Sequence, residues 1–198
     1  MDDHVNAEGL KQDGLRLFEE GLYEEAMERF GQAQERFAAA ANDVEAAEML
    51  NNLGVVYRLM HRWDEAQEAL EEARAAFARL GDRSREAQAL GNLGGLLASQ
   101  GDQLRAQEYL RQAAKIFGEL GDAQREGDTL IALGVQMWKA GDRRGGMAVY
   151  EAGLSTLEKP TAQQRAVRGL LRIRALSLIH ISEPTRLLSI SYAVFCLK

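Results

Sequence analysis

The sequence predicts an all-α fold, a right-handed superhelical solenoid of antiparallel helix hairpins. Three observations predict it: small residues recur at a fixed interval of 40, apolar residues inside each interval follow helical spacing, and Gly-Asp pairs punctuate the helices. A period of this length marks a repeat architecture, in which each unit buries its apolar faces against its neighbours.

Four positions hold the period. Gly14, Gly54, Gly94 and Gly134 share one; Ala26, Ala66, Ala106 and Gly146 share another; Ala33, Ala73, Ala113 and Gly153 a third. Phe30, Leu70, Leu110 and Tyr150 are the bulky set. Within a copy, Leu90, Leu93, Gly94 and Leu97 fall at i, i+3, i+4 and i+7 and line one helix face. Gly101-Asp102 then supplies a glycine for the left-handed helix end and an aspartate to cap the next helix. A second helix places Ala106, Tyr109, Leu110, Ala113, Ile116 and Phe117 on one side, and Gly121-Asp122 closes the unit as Gly81-Asp82 does before it. Small residues let two helices approach closely while the bulky neighbour fills the gap.

This register divides the chain into an extension over residues 1–6 and four hairpins at about 7–46, 47–86, 87–126 and 127–159. The start of a fifth repeat, or a capping helix, follows over 160–175. Turns are expected near Gly21, His61, Gly101 and Gly141. Gly146 and Gly153 replace alanine in the fourth copy, which predicts the loosest hairpin there, because glycine weakens a helix interior.

The order Leu90, Leu93, Gly94, Leu97, Gly101, Ala106, Leu110, Ala113 resembles the tetratricopeptide repeat. The usual repeat has 34 residues; this one is six longer, which is expected to lengthen the second helix. Such long repeats resemble those of kinesin light chains and of polarity scaffolds that bind G-protein regulators. The resemblance covers about residues 7–159 and implies binding to peptides or proteins without catalysis. His61 departs from it at a turn where glycine is usual. The positions of a tetratricopeptide carboxylate clamp correspond to Lys11, Leu15, Asn52, Gln88 and Asn92; only Lys11 and Asn52 fit, so tight binding of an acidic tail peptide is not expected.

Residues 176–198 read differently. Leu176 to Arg186, LSLIHISEPTR, matches codon by codon the translation of a transposase-type sequencing adapter. Leu187 to Ser189 has the length of an index, and Ile190 to Leu197 matches a flow-cell segment. The natural segment is therefore expected to end near Ala175, and Cys196, His180 and Pro184 to carry no functional argument.

Composition narrows the function classes. A net charge of −6 argues against nucleic acid as a partner, since phosphate binding needs a basic surface. No run before Leu176 is long and apolar enough to span a membrane, the acidic start does not read as a secretory signal, and Cys196 is the only cysteine. A cytoplasmic location is expected. Outside the tail only His4 and His61 remain, Ser84, Ser99 and Ser155 lack a base–orienter set, and Gly91-Asn92-Leu93-Gly94-Gly95 lies inside a helix. Neither an enzyme nor a cofactor is expected.

The expected site is the concave groove formed by the first helices. Its partner-binding residues are Lys11, Leu15, Asn51, Asn52, Val55, Arg58, Asn92, Ser99, Asp128, Val135, Trp138 and Lys139, with Glu48 and Gly95 beside them. Asparagine amides can donate to and accept from a partner backbone. Trp138 could anchor a partner or pack on the following hairpin, and Arg165, Arg168 and Arg172 read as a solvated stripe. The leading reading is an interaction scaffold for a protein or peptide segment, whose exposed repeat ends allow self-association; the alternative is the sensory or regulatory region of a larger signalling or transcription protein.

Overall fold

The computed structural model describes residues 2–162, 164–167 and 169. The residues after Gly169, including the expected adapter-derived tail, lie outside these. Among the described residues eight long helices follow one another: α1 Asp2–Glu19, α2 Tyr23–Ala39, α3 Asp43–Leu59, α4 Trp63–Leu80, α5 Arg83–Gln100, α6 Gln103–Glu119, α7 Ala123–Lys139 and α8 Arg143–Thr156. No strand occurs among the described residues. First and second helices both run 17–18 residues, apart from the 14-residue α8. The added length is thus not confined to second helices, contrary to expectation.

Two compact units divide the chain, Met1–Gly101 and Asp102–Lys198. In the first, α1 pairs with α2 and α3 with α4, and α5 packs on α4 and α3. Its core joins Ala26, Phe30, Ala33 and Phe37 of α2 to Met49, Leu53 and Val56 of α3. A further cluster joins Ala73, Ala76 and Phe77 of α4 to Ala47 and Ala89. In the second unit α7 lies against α6 and α8. Ile131, Tyr150, Leu154 and Leu157 form one cluster there, with Val135 and Val167 packed against it.

The turns explain why the helices stop where they do. Gly21, Gly81, Gly101, Gly121 and Gly141 have positive φ, the left-handed end that glycine adopts without strain. Asn42, Asp82, Asp102, Asp122 and Asp142 then accept hydrogen bonds from backbone N–H groups of the next helix's first turn. Two turns use the same geometry without glycine, at Ala41 (φ 54°) and His61 (φ 60°). At Ala41 the N–H donates to Ala38 O, and the Asn42 N–H to Phe37 O, 3.0 and 2.9 Å away. Ala41 is exposed, so Ala41→Gly should raise stability by about 1 kcal/mol in urea denaturation, relieving the steric cost of a left-handed L-residue. A neutral or lower midpoint would show that the turn carries no strain.

The fourth hairpin corrects an expectation. A methyl group on Gly134 would stand 2.6 Å from Gly146 O and 2.7 Å from Tyr150 N; one on Gly146 would stand 2.6 Å from Gly134 O. Gly127 and Gly153 repeat this one turn-pair away, with a Gly153 methyl 2.7 Å from Gly127 O. These four glycines do not loosen the pair. They bring α7 and α8 into backbone-to-backbone contact, where ordinary side chains would hold the helices apart.

Candidate partner-binding site

In the first unit the expected residues lie along α1, α3 and α5, and a charged cluster ties these helices together. Lys11 Nζ stands 2.6 Å from Glu45 Oε2 and 2.7 Å from Glu48 Oε1. Glu48 Oε2 in turn accepts from Arg85 Nε at 3.1 Å, and Arg85 Nη1 reaches Asp82 at 2.7 Å. Only 13% of the Lys11 side chain and 11% of the Glu48 side chain are exposed, so solvent screens this contact weakly. Burial pulls the Lys11 pKa down, but the hydrogen bonds and charges of Glu48 and Glu45 outweigh it and hold the ammonium above the ordinary lysine range. Lys11 is therefore already neutralised, a further physical reason against an acidic ligand at this end.

The asparagines divide. Asn92 Nδ2 donates to Asn51 Oδ1 at 2.9 Å, a buried bond between α5 and α3. Asn52 has 0% exposure, and among the described residues neither its Nδ2 nor its Oδ1 has a partner. The repeat register accounts for the difference. Asn92 finds Asn51 one copy earlier; the residue that corresponds for Asn52 is Lys11, which is held by two carboxylates. Val55 and Arg58 are buried, and Leu15 is half-buried against the α1–α3 core. Gly95 is buried, while Ser99 is exposed and its hydroxyl donates to Gly95 O in its own helix at 2.9 Å.

In the second unit Asp128 is half-buried on α7, and its carboxylate accepts from the Gln124 and Gln164 amides. Val135 is half-buried with the Ile131 cluster, and Lys139 is exposed. The Arg143 guanidinium stands 5.9 Å from the Trp138 ring centroid, so the indole leans towards the α7–α8 turn. Sequence reasoning missed Glu45, Arg85 and Gln164. A signal existed: the residue at the Glu45 position changes sign to Arg85, Arg125 and Arg165 at successive intervals of 40. Among the described residues, no three His, Cys, Asp or Glu side chains are grouped to hold a metal ion, and no helix is long and apolar enough to cross a membrane.

The tetratricopeptide repeat model matches residues 14–77 and 45–119, which together take in more than half of the 198 residues. The chain belongs to the tetratricopeptide repeat family. Solved tetratricopeptide-like structures agree in fold. BtubC (BKLC) from P. vanneervenii superposes with a TM-score of 0.70 at 23% identity, covering 94% of this chain and 70% of that one. The apo form of RapI gives 0.77 at 14% identity, and a Rap protein complexed with competence and sporulation factor gives 0.76 at 18%. Each of these two matches covers 96% of this tetratricopeptide chain and 52% of the Rap chain, so the chain spans about half their length. No curated protein matches at the sequence level.

Proposed function

We propose that this tetratricopeptide protein is a non-catalytic scaffold whose first-helix groove binds an extended or helical segment of another protein, in the cytoplasm. The observation that carries the reading is Asn52. An amide with 0% exposure and no partner for its nitrogen or oxygen costs about 1–3 kcal/mol, and such a group calls for an explanation. A segment that displaces the side chains covering Asn52 would supply both a carbonyl acceptor and an N–H donor, the pair an asparagine side chain can satisfy together. Lys11, Glu48 and Arg85 brace the neighbouring helices, so little ordering cost remains at binding. The Rap protein bound to competence and sporulation factor offers an analogy for ligand capture by such a fold.

A substitution with opposed effects tests this. Asn52→Leu removes an unsatisfied buried amide, so the free protein should gain about 1 kcal/mol in denaturant unfolding. The same change should reduce recovery of partner proteins from the source cell at least tenfold. An unchanged partner set would move the binding surface elsewhere; lost stability would show that Asn52 serves the fold. A second reading, the sensory part of a larger regulator, is favoured by the half-length match to the Rap proteins. The gene sequence beyond the codon for Ala175 decides it.

A further inference from the structure

We propose that Asp128 is the contact point for a cationic side chain of the bound segment, a guanidinium or an ammonium. This rests on the first-helix face being the recognition surface. The position shows its use elsewhere in the chain: Glu48, two register steps of 40 earlier, takes two cations, Lys11 Nζ at 2.7 Å and Arg85 Nε at 3.1 Å. Asp128 has neither. Among the described residues only amides hold it, Gln124 Nε2 donating to Oδ2 at 3.0 Å and Gln164 Nε2 to Oδ1 at 3.4 Å. The counterpart of Lys11 is Gly91. The counterpart of Arg85 is Arg165, exposed and donating to Pro160 O at 2.9 Å.

The two amides are not loosely placed. Gln124 Oε1 accepts from Lys159 N at 3.1 Å. Gln164 Oε1 accepts from Thr161 N at 2.7 Å while Thr161 Oγ1 accepts from Gln164 N at 3.2 Å, a reciprocal capping box at the start of the helical residues that follow. With both oxygens anchored to backbone, both NH₂ groups are turned onto the carboxylate and fix its plane. Among the described residues each carboxylate oxygen accepts one hydrogen bond, leaving a lone pair on which a cation can bind beside the amides, a guanidinium in two-pronged fashion. Burial raises the Asp128 pKa against these hydrogen bonds, and Asp122 adds to the rise; the site is short of positive charge.

The test titrates the full chain with acetyl-Gly-Arg-Gly-amide and with its citrulline counterpart, which keeps the shape and loses the charge. The arginine peptide should shift the Gln124 and Gln164 side-chain amide resonances saturably and bind at least tenfold more tightly than the citrulline peptide. Asp128→Asn, and Asp128→Ala as a second variant whose amide spectrum reports folding, should abolish that preference. Equal affinity for the two peptides, or a preference that survives both variants, overturns the cation site and leaves the groove reading standing. Failure of both peptides to bind also overturns it. So does binding that emerges only in Arg165→Gln, because the chain would then supply its own cation.

Discussion

Gly134→Ala is expected to destabilise the protein by about 2 kcal/mol, within the range for overpacking a tight contact, and to lower the thermal midpoint by roughly 4–8 °C for a chain of this size. The added methyl would meet Gly146 O at 2.6 Å and Tyr150 N at 2.7 Å, and neither backbone atom can rotate away. Helix propensity offsets part of this loss, since alanine is better than glycine by about 1 kcal/mol in a helix interior. The same substitution at Gly9, where nothing lies within 4 Å of the new methyl, isolates that gain and should be stabilising. Opposite signs for identical chemistry make the measurement decisive. If Gly134→Ala melted as high as Gly9→Ala, the α7–α8 spacing would not be set by its glycines.

Glu48→Leu is expected to cost more, about 3 kcal/mol, because removing one member of a buried ion pair strands the other. The figure sits at the low end of that range, since Lys11 keeps Glu45 at 2.6 Å and Arg85 keeps Asp82 at 2.7 Å. Lys11→Met combined with Glu48→Leu should recover most of the loss, as apolar replacement of a whole buried pair is often neutral. The sign of the pH dependence follows from Lys11. Its folded pKa lies above the ordinary value of 10.5, so its contribution is complete below that range and fades as pH rises through the folded value. The difference between wild type and Glu48→Leu should therefore shrink in strong alkali. Urea unfolding at neutral and alkaline pH checks both statements, with Lys11→Met alone completing the cycle; an equal effect of Lys11→Met with and without Glu48 would show that no coupling exists.

Much of the fold could be read from spacing, because helix periodicity and turn chemistry are local. Gly101-Asp102 announces a stop and a start within two residues, and the structure puts a left-handed glycine and a side-chain cap there. Ala41 gave no such warning; only Asn42 beside it marks the turn. The fourth copy misled for a physical reason. Glycine lowers the intrinsic stability of an isolated helix, but four glycines facing one another change the distance between two helices, and that outcome depends on the pair. The site was legible as a set of helices and not as a set of contacts. Asn52 and Asn92 hold the same register position, yet among the described residues Asn92 bonds to Asn51 and Asn52 has no partner; the residue 41 earlier is an asparagine for Asn92 and, for Asn52, a lysine claimed by carboxylates.

The sign change between Glu45 and Arg85 has a consequence for how the array could have grown. A repeat protein is often pictured as interchangeable bricks, any one able to follow any other. Here the Glu48 carboxylate on α3 takes a cation from the helix hairpin on each side, Lys11 of α1 before it and Arg85 of α5 after it. A tandem duplicate of the α3–α4 hairpin, residues 43–82, would set a glutamate against the first Glu48 where Arg85 stands and an asparagine against the second where Lys11 stands, so each carboxylate would lose one of its two cations. Each junction thus carries an address. Shuffling or duplication within residues 1–101 would be penalised at the seam before any question of ligand arose, so the order of these copies is written into their charges.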